Sequence, residues 1–234
     1  MGMSSLPVRA MRAVSLLSGG LDSTVVLAYA LSKGFDVVPL TVRYGQRHSR
    51  ELDSARKVVG HYGLGHHVVM DLDLRSFTGS ALTSHTVEVP ERASVVEIGE
   101  GIPVTYVPAR NIIFLSLAAG LCETVGAEAI FIGANAIDYS GYPDCRPEFF
   151  EVFEQTLRVG TKAGVEGHAP TIHAPILRMS KSEIVRLGSD LKAPLDLTWS
   201  CYQGGARACG RCDSCLLRLK GFKEVGIPDP VEYR

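Results

Sequence analysis

The sequence predicts a doubly wound α/β fold: a mainly parallel sheet covered on both faces, with a small cysteine-rich appendage at the C-terminus. Three observations predict it. Short apolar, β-rich runs alternate with helical patterns of 3.6-residue period, the order expected of a parallel sheet with crossover helices. A glycine turn, Ser18-Gly19-Gly20, separates the first run from the first helix. Four of the six cysteines, Cys201, Cys209, Cys212 and Cys215, crowd one short segment near the end.

Taken in order, Arg12 to Leu17 reads as a buried strand and Ser23 to Ser32 as an apolar helix. A strand over Asp36 to Tyr44 precedes a helix over Ser49 to Tyr62, with apolar positions at Leu52, Ala55, Val58 and Val59. His66 to Leu72 gives a third strand. The stretch from Asp73 to Pro108 is polar and poorly periodic, which predicts a long loop with one short strand. Then come an apolar helix over Asn111 to Val125, carrying Cys122 in the core, and a strand over Ala129 to Gly133. Pro147 to Val159 is helical, with proline acceptable in the first turn. Thr171 to Ile176 is a further strand, and Ser180 to Leu187 a helix opened by a Ser180–Glu183 capping box. The expected organisation is an α/β domain over residues 12–195, with residues 196–234 as an appendage packed on it; Met1 to Arg9 reads as a disordered extension.

The bulk numbers exclude several functions. A formal charge of −1 across 234 residues lacks the basic surplus of most nucleic-acid binders, so no nucleic-acid partner is expected. No apolar run approaches the ~20 residues that cross a bilayer, and no apolar h-region precedes a cleavage site. The expected location is the cytoplasm. Cysteines in such a setting point to metal rather than to disulfides.

The glycine turn carries the first chemistry. Two glycines let the chain turn tightly and present N–H groups to an anion, and the following helix adds its positive N-terminal end. Ser18, Ser23 and Thr24 add hydroxyls. No Lys-Ser/Thr follows the glycines, so this is not a Walker loop. The loop resembles the pyrophosphate loop of the N-type ATP pyrophosphatases, a superfamily that includes GMP synthetase, NAD synthetase and tRNA-thiolating enzymes. The resemblance implies an adenine nucleotide alpha hydrolase-like fold and ATP held by Leu17, Ser18, Gly19, Gly20, Leu21, Asp22, Ser23 and Thr24. Asp22 would help to place Mg²⁺, because two anions need a cation between them.

The cysteine cluster carries the second. Cys201-x7-Cys209-x2-Cys212-x2-Cys215 supplies four thiolates that close a tetrahedral site with no open position, hence a structural zinc. Arg207 and Arg211 are placed to offset its negative charge. An iron–sulfur cluster also suits four thiolates.

Further segments narrow the resemblance: Tyr44-Gly45-Gln46-Arg47-His48, Val107-Pro108-Ala109-Arg110-Asn111, residues 133–146 from Gly133 to Arg146, and Thr198-Trp199-Ser200-Cys201 with the knot. From about Val14 to Pro230 the chain resembles the 7-cyano-7-deazaguanine synthase (QueC) family. That resemblance implies an ATP-dependent ligase forming carbon–nitrogen bonds. It would convert 7-carboxy-7-deazaguanine and ammonium to the nitrile preQ0, through adenylated acid and amide, as a homodimer in queuosine-type biosynthesis. An amide-forming or tRNA-thiolating adenylating enzyme of the same superfamily, or a non-catalytic zinc-knot binding module, is the alternative. Asp22 and Arg110 are the candidate catalytic residues, Arg110 contacting phosphate or carboxylate. Tyr44 is a candidate for substrate binding. Asp138 and Asp144 would accept from the guanine-like edge, and Tyr139 or Tyr142 would stack on the heterocycle. Lys162, Lys181, Arg47 and Arg178 are candidates for phosphate contacts, with a plain surface cation at least as well supported for each, and stand outside the core set. His48, with Glu51 on the same helical face, is a candidate to move protons during ammonia attack, although a satisfied helix-start histidine is the favoured reading; Cys145 reads as a loop or packing residue.

Overall fold

The computed structural model describes residues 10–77, 79–84, 86–98, 101–136 and 142–234. Five parallel strands form one sheet: β1 (Arg12–Leu16), β2 (Asp36–Arg43), β3 (Val68–Asp71), β4 (Ala129–Phe131) and β5 (Thr171–His173), in the order β3-β2-β1-β4-β5. Val14 of β1 lies opposite Val38 on one side and Ile130 on the other. The central strand is therefore buried on both faces, which is why it reads as a continuous apolar run.

Alternation along β1 divides the interior. Val14 and Leu16 face one core, built on α3 (Arg110–Val125) and α4 (Pro147–Gly160) with Leu115, Ala118, Cys122, Phe150 and Phe153. Ala13 and Leu17 face the other. That second core takes Val25 and Val26 of α1 (Leu21–Ser32) and Ala55 and Val58 of α2 (Arg50–His61). Ile184 of α6 (Lys181–Asp190) completes it together with Phe222 of α7 (Asp213–Val225). A short helix, α5 (Lys162–Val165), follows α4; Thr161 caps it by accepting the Gly164 N–H at 2.9 Å.

The expected capping box is formed: the Ser180 hydroxyl accepts the Glu183 N–H at 3.3 Å, and Glu183 accepts the Ser180 N–H at 2.7 Å. The helix it opens runs on to Asp190. Three strands are shorter than the sequence suggests by more than one residue: β3, which spans Val68–Asp71 where His66 to Leu72 was expected, and β4 and β5. β4 stops at Phe131 and β5 at His173, because β5 pairs with β4 over three positions only and the chain then turns into the functional loops.

The long stretch after β3 also differs from expectation. Among the described residues it holds one 3₁₀ turn, Val95–Glu97, and no strand. Its apolar residues Ala81, Val87 and Val89 pack on Trp199 and the cysteine cluster instead of on a sheet edge. Arg92 fastens it there, donating its backbone N–H to Arg211 O at 2.9 Å and its Nε to Asp213 at 2.6 Å. The Met1 to Arg9 extension lies outside the described residues.

The C-terminal segment is locked to the second core by a buried ion pair. Arg218 and Asp229 are 3% and 4% exposed at their side chains, with Arg218 Nε donating to Asp229 at 2.8 Å and Nη2 at 2.9 Å. Arg218 also donates to Thr198 Oγ1 at 2.7 Å and Leu195 O at 3.1 Å. The Tyr233 hydroxyl donates to Asp229 at 2.6 Å. Removing one member leaves the other charge buried and unpaired. Asp229→Ala is expected to lower stability by about 3–5 kcal/mol, read as a fall in the urea midpoint; an unchanged midpoint would show that the tail is not held by this pair.

Candidate active-site cleft at the strand switch

Strand order reverses between β1 and β4, so a crevice opens beyond their C-terminal ends, where such sheets bind ligands. One large cleft occupies it. Ser18, Gly20, Leu21, Asp22 and Ser23 line its base, Tyr44, Gln46, Arg47, His48 and Glu51 one wall, and Arg110, Phe114, Tyr142 and Cys145 the facing wall. Lys181, Trp199 and Tyr202 close the remaining side.

The base is organised by close contacts. Gly19 has φ +87°, and a Cβ there would stand 2.2 Å from Glu51 O and 2.5 Å from Ala55 N. The loop therefore lies directly against α2. Gly133, at the end of β4, is as confined: a Cβ would meet Ser23 N at 2.9 Å. Ser18 and Ser23 lock the turn, their hydroxyls 3.0 Å apart, with Ser23 Oγ donating to Gly20 O at 3.2 Å. Among the described residues no side chain caps α1. The N–H groups of its first turn are left to face the crevice, a ready anion site.

Most of the sequence-derived loop residues meet here, and two do not. Gly19 works from behind the loop, against α2. Thr24 is fully buried inside α1, away from the lining, and its Oγ1 has no partner among the described residues. Asp22 accepts both of its contacts from Lys181 Nζ, at 2.8 Å and 2.8 Å. Lys181 is 6% exposed, so the surface-cation reading of it is corrected: it belongs to the cleft. The visible signal was the capping box, which sets the residue after Ser180 at the first position of a helix. Only packing aims that residue at Asp22. Arg47 also lines the cleft, whereas Lys162 is exposed on α5 beside Glu166 and Arg178 is not on the lining.

The walls carry the remaining candidates. Tyr44 is buried, packs edge-on to Phe114 at 5.5 Å, and has its hydroxyl pushed up to about 12 by burial, against the pull of Arg110. Burial opposes the Arg110 charge, but Tyr44, Tyr142, Cys145 and Asp144 together outweigh it and hold the cation. The Tyr142 hydroxyl lies 2.9 Å from Thr105 Oγ1, and its ring tilts on Tyr106 at 5.5 Å. Asp144 is placed otherwise than the sequence suggested. It is buried off the lining, and its Oδ2 accepts the Asn111 N–H at 3.0 Å. The start of α3 has no local cap, since Ala109 sits there at φ 55°, and Asp144 supplies one from a distant loop. Asp138 and Tyr139 lie outside the described residues. Cys145 accepts from Asn111 Nδ2 at 3.3 Å, and burial raises its thiol to about 11, so it stays protonated and unreactive.

Two side chains have more to do here than the sequence showed. Glu51 faces the cleft, and burial raises its carboxyl to about 7. Trp199 donates its backbone N–H to Gly19 O at 2.9 Å while its ring carries Arg50 at 4.5 Å, so the cysteine-rich segment touches the glycine loop directly.

The four clustered cysteines are all buried, and their sulfurs lie within 4.8 Å of one another. Cys209 and Cys215 are 3.9 Å apart, close to the ~3.8 Å edge of a tetrahedron with metal–sulfur bonds of about 2.3 Å. Backbone N–H groups point at the sulfurs: Gln203 and Cys209 at Cys201 (3.4 and 3.3 Å), Arg211 and Cys212 at Cys209 (3.4 and 3.3 Å). Such donors stabilise thiolates, and the donor set fits a metal ion. Arg207, expected to offset the cluster's charge, pairs with Glu232 at 3.2 Å. Among the described residues no helix is long and apolar enough to cross a membrane.

Comparison with known proteins agrees with this arrangement. A family profile described as "Queuosine biosynthesis protein QueC" matches residues 12–226. The 7-cyano-7-deazaguanine synthase of Acetivibrio thermocellus is 55% identical over 222 residues, covering 95% of this chain and 97% of the relative. Those of Picrophilus torridus and Myxococcus xanthus are each 57% identical, over 95% of this chain and over 91% and 97% of their own lengths. With a match spanning the glycine loop, the cleft walls and the cysteine cluster alike, this chain belongs to the QueC family of queuosine biosynthesis proteins.

Proposed function

We propose that this chain is an ATP-dependent ligase that makes 7-cyano-7-deazaguanine from 7-carboxy-7-deazaguanine and ammonium. The observation that carries the proposal is a charge arrangement. An uncapped helix N-terminus and a glycine turn suited to phosphate stand at one end of the cleft, and Arg110, suited to a carboxylate, stands on its wall.

A carboxylate oxygen is a poor leaving group, and esterifying it to AMP corrects this. The phosphate loop holds the triphosphate through Ser18, Gly20, Ser23 and the first N–H groups of α1. Lys181 supplies positive charge beside it. Arg110 steers the acid toward the α-phosphate, and Tyr44 and Tyr142 flank the heterocycle, with Asp138 and Tyr139 proposed on the same wall. After ammonia has displaced AMP, the amide oxygen is activated by a second ATP, and departure of AMP leaves the nitrile. Mg²⁺ brought with ATP would supply further neutralisation, and Asp22 would be the carboxylate to hold it.

The four cysteines hold a structural zinc in this reading, so that residues 196–234 are a metal-stapled appendage of the unit formed by 12–195. The enzyme is proposed to act as a cytoplasmic homodimer with no nucleic-acid partner. The test is stoichiometric: about two AMP should be released per nitrile formed, because each activation expels one leaving group. Release of a single AMP, with amide as the end product, would overturn the assignment.

A further inference from the structure

The proposed reaction consumes ammonium, yet none of the groups assigned above receives that ion or takes its proton. Ammonium brings positive charge and N–H donors, and its nitrogen has no lone pair until one proton leaves. Its site therefore needs an anionic acceptor, away from bulk water and beside the activated carbon.

Glu51 meets these conditions. It sits in the first turn of α2 and lines the cleft. Its place relative to the phosphate loop is tightly set, since its own carbonyl oxygen occupies the space that a Cβ on Gly19 would need, 2.2 Å away. Arg110 on α3, Tyr44 after β2 and Cys201 of the knot are the charged or titratable groups that act on it. Among the described residues no hydrogen-bond donor is paired with its carboxylate, and the half-buried side chain is open toward the cleft. A carboxylate withdrawn from water without donors is costly, and a ligand rich in N–H groups removes that cost. Burial raises the carboxyl to about 7, with Arg110 pulling the other way and Cys201 adding to the rise, so the group can both accept and return a proton near neutral pH.

Resting on the function proposed above, we infer that Glu51 is the ammonium site and the base of amidation: its carboxylate accepts N–H hydrogen bonds from ammonium, takes one proton, and frees ammonia to attack the adenylated carbon. The carbon–nitrogen bond forms, the carbon–oxygen bond to AMP breaks, and AMP leaves with the bonding pair. The new C–N nitrogen then gives up a second proton to Glu51, which has meanwhile returned the first to solvent. When the amide oxygen has been adenylated, with pyrophosphate and one N–H proton released, the same carboxylate takes the last N–H proton as AMP departs.

The test compares wild type with Glu51→Gln and Glu51→Asp in two assays. Exchange of labelled pyrophosphate into ATP, driven by the acid without ammonium, reads adenylation alone. Steady-state turnover with ammonium varied from about pH 6 to 9 reads amidation, and the expected loss of kcat/KM for ammonium in Glu51→Gln is about 100-fold, with exchange unchanged. The wild-type profile should bend on its acid side near 7. In Glu51→Gln that bend should vanish and the rate should follow free ammonia. Hydroxylamine, uncharged near neutrality, should trap the adenylate equally well in both. If Glu51→Gln does not fold, Glu51→Asp carries the test, with KM for ammonium expected to rise about tenfold at unchanged exchange. Equal losses in exchange and amidation, or an unaltered ammonium dependence, would overturn the role of Glu51. Absence of exchange in the wild type would instead sink the function on which the role rests.

Discussion

Gly19→Ala is expected to abolish adenylation while Gly34→Ala leaves it nearly intact. Both glycines have positive φ, +87° and +82°. An alanine at either costs roughly 1–2 kcal/mol of backbone strain. They differ in surroundings: nothing lies within 4 Å of a Cβ at Gly34, whereas one at Gly19 would stand 2.2 Å from Glu51 O and 2.5 Å from Ala55 N. Those atoms are helix backbone and cannot swing aside, so the loop must move away from α2. Movement of about 1 Å at a site that positions reacting groups costs about 100-fold in rate. Pyrophosphate exchange should fall by at least that factor in Gly19→Ala, with a lower melting temperature. Exchange within about twofold of wild type would mean that the loop does not position the nucleotide.

The second large effect is expected from Cys212→Ser. A structural zinc site of four thiolates contributes about 10–16 kcal/mol at neutral pH, comparable to the whole stability of an ordinary domain. Removing one buried sulfur should reduce the metal content to near zero and lower the melting temperature by at least about 10 °C. The consequences should reach further than the tail. The stretch after β3 is tied to Arg211 and Asp213, and Trp199 is tied to Gly19 O at 2.9 Å. ATP binding should weaken with the loss of metal. Cys145→Ser, at a buried thiol outside the cluster, serves as the control and should keep its metal. Undiminished metal in Cys212→Ser would remove the cluster from its proposed role.

The two substitutions probe parts of the molecule that differ in how openly the chain displays them. The glycine loop and the cysteine cluster are contiguous in sequence. Their chemistry depends on residue type and short spacing, so both could be read before any fold was known. The strand–helix alternation was legible for a similar reason: β1, β2 and β4 are buried on both faces and spell out apolar runs. The ends of β4 and β5 were not legible, because a strand ends where its neighbour stops pairing, and that neighbour is distant in the chain.

Side-chain assignments on the walls fared according to the same principle. Tyr44, Arg110 and Tyr142 do face the cleft. Asp144 was assigned to the substrate by its place in a diagnostic segment, yet its carboxylate caps α3, since Ala109 cannot. Lys181 was a candidate for phosphate contact no stronger than a plain surface cation; here α6 packs across α1 and presents it to Asp22 at 2.8 Å. Glu51 entered only beside His48 on one helical face, as an aid to proton movement ranked behind a plain helix-start role, because nothing local shows that it faces the cleft.

By itself, then, the sequence determined the α/β class, the glycine turn between strand and helix and the four-cysteine cluster suited to a metal, because backbone freedom at glycine and thiolate spacing are local properties. Only the tertiary structure decided which charged groups face the cleft and which are spent on capping or pairing. Burial and desolvation are set by what packs from elsewhere in the chain, and no window of sequence contains that information.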